Sequence, residues 1–299
     1  MANGILVPAL AGMAMLSAAP VAERSVSGEG VITAQVNGVP GRIRIDPGAP
    51  ALPLLTKSLA EAAGLRSGMI RMTYSVGPQR IAGPSAVGRI DLGSGPLKRR
   101  IGWAALPYTD GIDGVIGPGG MPEPVIRFVL RQPAPGERNV TFTLAKQGGL
   151  FGGWGVSFAT VDLGGTPVQV RFSPHQPRTL ATASTGARLA AQFGGHLEGA
   201  SAPEAIAFGI ARPVRDLVLA RPFQMGPFRI ARLGVRVADE GSVATVPDAE
   251  APPPDPDEVL VVGKGKRHQD KITVGADLLA ACSSIVFDKP AKLIRLSCR

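Results

Sequence analysis

Cysteine is scarce, with two residues, Cys282 and Cys298, in a chain of 299. Two cysteines with no histidine pair nearby exclude a zinc site, and no metal or other cofactor is expected. Charged residues make up only 18% of the chain while hydrophobic ones make up 44%. That balance excludes a disordered chain, which would be too polar to bury a core. Aromatic residues amount to 5% and are not interleaved with basic ones. The net charge of +9 therefore lacks the stacking platforms of a nucleic-acid surface. Arginines are scattered, and the two local clusters, Lys98-Arg99-Arg100 and Lys264-Gly265-Lys266-Arg267, suit solvated loops, so nucleic acid is not an expected partner. The apolar run at residues 5–19 is too short to cross a bilayer comfortably.

That run has the length of a signal-peptide core, and the small residues Ser17, Ala18, Ala19 and Ala22 offer cleavage sites. No Lys or Arg precedes it, and Pro20 sits awkwardly for cleavage; a buried N-terminal strand or helix is the alternative. A leader over residues 1–22 is the expectation, with a periplasmic or secreted product and no membrane span once it is removed. Export would make a Cys282–Cys298 disulfide plausible; a pair of buried thiols is the other reading.

What the chain has in quantity is glycine, 39 residues, and proline, 28, as many short strands joined by turns require. It also repeats itself. Gly38-Val39-Pro40-Gly41-Arg42-Ile43-Arg44-Ile45-Asp46-Pro47 aligns without a gap on Gly165-Thr166-Pro167-Val168-Gln169-Val170-Arg171-Phe172-Ser173-Pro174, offset by 127 residues. Apolar residues alternate in register, the period of a half-buried strand. The repeat puts the carboxylate of Asp46 and the hydroxyl of Ser173 in equivalent places.

More of the chain follows the same order twice. Residues 30–36 read as a strand, Asn37-Gly38 as a tight turn and residues 41–46 as the returning strand. A short helix is expected over 58–63, with Ser58 and Glu61 at capping-box spacing and Gly64 at its end; Arg188 to Phe193 before Gly194 answers it. Residues 69–81 look like a hairpin turning near Gly77-Pro78, with Tyr74 on its first arm. Val115-Ile116-Gly117 is answered by Thr273-Val274-Gly275. Each half is then expected to close on a hairpin, 125–130 with 140–144 and 285–287 with 292–296. The economical reading is two copies of one β-rich lobe, 28–148 and 149–299. Residues 247–270 break the symmetry with a Pro- and Asp-rich insertion, read as a surface segment whose apolar run could add to a sheet edge.

Two lobes, each with an apolar strand running into an acidic turn and later an apolar-apolar-Gly, resemble the pepsin-like aspartic proteases. The short first lobe, with Asp46-Pro47-Gly48-Ala49 and the Leu59 to Leu65 helix, looks like the retropepsin-like proteins of bacteria. The resemblance implies a mostly β, bilobal pepsin-like fold of two similar barrel-like lobes, over residues 28 to 299. It also implies a cleft for an extended peptide. In that family each lobe gives one aspartate, and the two share a proton and hold a water. Asp46 matches the first aspartate and Gly48 the signature glycine; Ser173 stands at the second aspartate and His175 at the second glycine. Pro47 and Pro174 replace the hydroxyl residues that tie the two loops together. Tyr74 matches the hairpin tyrosine that covers the cleft, or else packs on its sheet.

An unassisted hydroxyl cannot share a proton with Asp46, and losing a concerted acid or base lowers a rate by about 10²–10⁴. The expectation is an exported protein that lacks ordinary proteolysis and keeps a peptide cleft formed by Gly48, Tyr74, Ser173 and His175 around Asp46. Three alternatives stay open. One is an active endopeptidase that takes its second carboxylate from elsewhere. Another is nucleophilic chemistry by Ser173, His175 and Asp46. The last is a purely structural role.

Overall fold

The computed structural model describes residues 22–146, 154–250 and 270–299. The expected leader, the centre of the 145–154 border and most of the 247–270 insertion lie outside the described residues. The first half contains β1 (Glu23–Ser27), β2 (Val31–Val36), β3 (Val39–Ile45), β4 (Leu54–Thr56), α1 (Lys57–Ala62), β5 (Met72–Val76), β6 (Gln79–Gly83), β7 (Ser85–Asp91), β8 (Pro96–Ala104), β9 (Gly114–Ile116), β10 (Val125–Val129) and β11 (Arg138–Lys146). The second contains β12 (Ser157–Leu163), β13 (Thr166–Phe172), β14 (Leu180–Thr182), α2 (Ala183–Phe193), β15 (Gly195–Ala207), β16 (Ile210–Met225), β17 (Phe228–Arg236), β18 (Lys271–Val274), α3 (Ala276–Leu279), β19 (Cys282–Asp288) and β20 (Leu293–Cys298).

The sequence repeat is a repeat of strand pairing. β3 runs antiparallel to β2 and parallel to β9. β13 runs antiparallel to β12 and parallel to β18. β4 lies antiparallel to β9 and parallel to β8, and β14 lies antiparallel to β18 and parallel to β17. Alternation explains the inward faces. Ile43 and Ile45 on β3, like Val170 and Phe172 on β13, are fully buried, while the residues between them face away from the core. The halves differ in closure. β2 reaches β7, so the first set closes as a barrel, β2-β3-β9-β4-β8-β7. β12 pairs with β11 instead, and the second set stays open as part of a twelve-stranded sheet.

Two expectations need correcting. The helix near residue 58 is capped by Thr56, whose extended backbone lets its hydroxyl accept from the Leu59 N–H at 3.3 Å. Ser58 sits inside the first turn, and Glu61 pairs with Lys57 at 3.6 Å rather than reaching back. The first half's closing hairpin does not form. β10 and β11 are separated by the C-terminal hairpin β19–β20, giving the order β1-β10-β19-β20-β11-β12. All of β19 except Asp288 is buried, and its backbone pairs with β10 of the first half on one side and with β20 on the other, where a local β10–β11 hairpin would have left an edge bare. The second closing hairpin forms as expected, with Cys282 and Cys298 cross-strand partners joined by a disulfide. No helix among the described residues is long and apolar enough to cross a membrane.

Candidate functional site

Asp46 and Ser173 leave their parent strands β3 and β13 in the same way. The Asp46 N–H donates to the Ile116 carbonyl at 3.0 Å and the Ser173 N–H to that of Val274 at 2.9 Å. Three residues on, the Ala49 N–H donates to the Asp46 carbonyl and the Gln176 N–H to the Ser173 carbonyl, both at 3.1 Å. The two turns are thus backbone twins. The apolar-apolar-Gly segments back them, and glycine is required there. A Cβ on Gly117 would lie 2.0 Å from the Ala49 carbonyl oxygen, and one on Gly275 would lie 2.4 Å from the Arg178 carbonyl carbon.

The twin turns meet at Gly48. A Cβ there would fall 3.3 Å from each of Asp46 Oδ1, the Phe172 carbonyl oxygen and Ser173 Cβ, so Ser173 faces Asp46 across a glycine. The Gly48 N–H donates to Asp46 Oδ1 at 2.7 Å. Asp46 is 5% exposed. Burial pushes its carboxyl above the usual carboxylate range, opposed by His175, the Gly48 N–H and Arg44. A carboxylate kept from water and held by one backbone donor can orient a water or a peptide N–H. Its partner in the twin position is a neutral hydroxyl, which supplies no acid to a substrate carbonyl.

His175 is half-buried rather than an exposed loop side chain, and its Nδ1 lies 3.7 Å from Glu29. It lines a cavity of about 290 Å³ with Pro47 and Pro174, away from the Gly48 contact. The structure therefore brings His175 near Asp46 but turns one ring nitrogen toward Glu29.

Tyr74 sits where the sequence put it, on the first arm of the β5–β6 hairpin. This hairpin is a separate two-stranded sheet turning at Gly77-Pro78. Tyr74 lines a second cavity, of about 80 Å³, together with Gly48 and Ser173. Over it lies an aromatic cluster that was not legible beforehand. Tyr74 packs on Tyr108 at 5.8 Å and on Phe208 at 5.3 Å, and Tyr108 packs on Phe208 at 5.2 Å between ring centres. The chain's two tyrosines both belong to this site. Phe208 comes from the second half, at the tip of the long β15–β16 hairpin; it is 2% exposed, and its N–H donates to the Tyr108 carbonyl at 2.9 Å. Burial first, then Tyr74 and Asp46, drive the Tyr108 phenol well above its usual range. Its hydroxyl therefore stays neutral beside Asp46.

The tip of β5–β6 also closes on the segment that follows β17. A Cβ on Gly77, at the β5–β6 tip, would lie 2.2 Å from Asp239 Oδ1. Asp239 is fully buried, with Arg212 at 2.6 Å and Arg236 at 3.4 Å. Glu204 on β15 receives Gln176 at 2.6 Å and Arg178 at 2.8 Å, tying the second hairpin to the loop that follows Ser173. Among the described residues no group of His, Cys, Asp and Glu has the geometry of a metal site.

The fold is mostly β, with large sheets and a barrel, consistent with a bilobal pepsin-like arrangement. No protein-family model matches the chain, and no curated protein does. Among solved structures, an aspartic proteinase from Irpex lacteus is similar over 90% of this chain and 93% of its own, at 12% identity and a TM-score of 0.41. A likeness that distant leaves the chemistry to be read from the loops themselves.

Proposed function

We propose that this is an aspartic-protease-like protein that does not carry out ordinary proteolysis and uses its cleft to bind extended peptide segments. One observation carries the reading. Two turns with the same backbone hydrogen bonds present Asp46 on one side and Ser173 on the other, so the position that would hold a second carboxylate holds a hydroxyl. The groups that draw the Asp46 carboxyl down are His175, the Gly48 N–H and Arg44, and none of them is a carboxylate. The proton-sharing carboxylate pair of the aspartic proteases therefore has only one member here. The cleft binds peptide through main-chain hydrogen bonds and side-chain pockets, lined by Gly48, Tyr74 and Ser173 on one side and by His175 on the other. Duplication of one ancestral lobe accounts for the twin pairing schemes. The Cys282–Cys298 bond supports an oxidising compartment, the periplasm or the exterior.

The test is a mixed peptide library offered to purified protein between pH 3 and pH 8, read by mass spectrometry for cleavage and by fluorescence polarisation for binding. The expected result is binding without cleavage, retained in Asp46→Asn. Cleavage that disappears in Asp46→Asn would overturn the proposal in favour of an active endopeptidase, and failure to bind any peptide would overturn it outright.

A further inference from the structure

The small cavity beside Ser173 is unusual in its charge. Its wall is made by one face of the second half's sheet. Arg171 on β13 is the register partner of Thr273 on β18, and Lys271 lies two residues before Thr273, on the same face. Leu180 on β14 pairs with Thr273 and with Gly234, and Arg236 follows two residues after Gly234. Arg171, Arg236 and Lys271 all line the cavity, and Glu240 is the one carboxylate lining it with them. Glu240 lies 3.7 Å from Lys271, while Arg236 is spent on the buried Asp239, which Arg212 also holds. With Arg212 and Asp239 added to the lining groups, four cations stand against two carboxylates around this half-buried space.

Electrostatics of the individual groups agrees with that geometry. Lys271 is pulled down to about 8, by burial first and then by Arg171, with Glu240 opposing and Arg236 adding to the fall. Arg236 is lowered too, by burial first, with Asp239 opposing and Arg171 contributing. The fold does not demand these cations. Matching the two pairing schemes, Thr56 with Ala104 against Thr182 with Arg236, puts Ala104 in the first half where the second has Arg236. Likewise the residue ahead of β9 is Asp113, where β18 begins with Lys271. Arg171 has its twin in Arg44, so it is Arg236 and Lys271 that the second half alone contributes.

We propose that this cavity is a subsite for an anion, the side-chain carboxylate of an Asp or Glu in a bound peptide, seated next to Ser173 and under Tyr74. The proposal rests on the peptide-binding reading and narrows it to acidic segments. About 80 Å³ accommodates a carboxylate, and a carboxylate gains most where cations are already stripped of water. A neutral or apolar group there would leave the same cations desolvated with nothing to offset them.

Two probes separate this inference from the reading beneath it. N-acetyl-glutamate amide and N-acetyl-glutamine amide differ by one charge and test the cavity without any peptide. At pH 7 the glutamate compound should raise Tm in a saturable way and the glutamine compound should not. The effect should be lost in Lys271→Gln. In the unaltered protein it should fade between pH 7 and pH 9, as Lys271 loses its proton among Arg171, Arg236 and Glu240. The second probe is a fluorescent peptide pair with Glu or Gln at one position, for which at least a tenfold preference for Glu is expected. Equal response to both amides, or a response that persists in Lys271→Gln and at pH 9, would overturn the anion subsite. Tight binding of both peptides without preference would do the same while leaving peptide binding intact. A glutamate response without any peptide binding would keep the anion site and remove the peptide reading.

Discussion

At the scale of single residues, Asp46 is held at an energetic cost. Its carboxyl is raised by burial despite His175, the Gly48 N–H and Arg44. In the window between its unfolded value and its raised folded value the native state binds more protons than the unfolded state. Stability is therefore lost as pH rises through that window. Asp46→Asn keeps an Oδ1 for the Gly48 N–H and removes the charge, so its Tm should exceed that of the unaltered protein at pH 7. The two should converge as the pH falls toward 4, which calorimetry across pH checks. A lower Tm for Asp46→Asn at pH 7 would show that the charge is compensated by groups other than these. Buried charge retained against stability is characteristic of a functional position rather than of a core. The equivalence of Asp46 and Ser173 was legible in the sequence because strand alternation fixes register to the residue, and an ungapped repeat carries the register along. Tyr108 and Phe208 were not legible, since their meeting depends on how far two hairpins reach.

At the scale of elements, the β5–β6 and β15–β16 hairpins are each a cover, and each holds the other shut. Phe208 fills the space between Tyr74 and Tyr108, and Gly77 rests on Asp239 with no room for a methyl group. Truncating a buried Phe typically costs about 3–5 kcal/mol. Phe208→Ala should lose stability of that order in urea denaturation, and hydrogen exchange should accelerate in both hairpins together. Faster exchange confined to β15–β16 would show that the covers are independent. The sequence announced the first hairpin through Gly77-Pro78 but gave no measure of the second. β15 and β16 run 13 and 16 residues, with register shifts on the way, and their length has no counterpart in the first half. Local propensity also misplaced the cap of α1, because Thr56 and Ser58 are both good caps and only the strand β4 leading into the helix decides between them.

At the scale of the whole molecule, the halves interlock. β19 and β20 lie between β10 and β11, Phe128 packs on Phe287 at 5.8 Å, and Arg131 donates to the Ala281 carbonyl at 2.6 Å. The expectation of two self-contained closing hairpins failed here because a hairpin pattern in sequence names strands and not their neighbours. A fragment ending at Lys146 would leave β10 with β1 alone and β11 with neither of its partners, and should show no cooperative thermal transition. Adding residues 154–299 in trans should restore one. Removing the Cys282–Cys298 link releases a short loop from the unfolded-state constraint and should cost about 3 kcal/mol by the chain-entropy account, measured by urea denaturation with and without reductant. A fragment that folds alone would mean that the barrel of the first half is sufficient for its own stability.

The interleaving also sets a schedule. Translation makes the first half long before it makes β19 and β20, so β10 and β11 each keep one edge bare until those two strands emerge. Any chaperone that holds extended apolar segments would find its target there throughout synthesis. Its release would wait on the arrival of β19 and β20, making the later strands the signal that the earlier ones are ready.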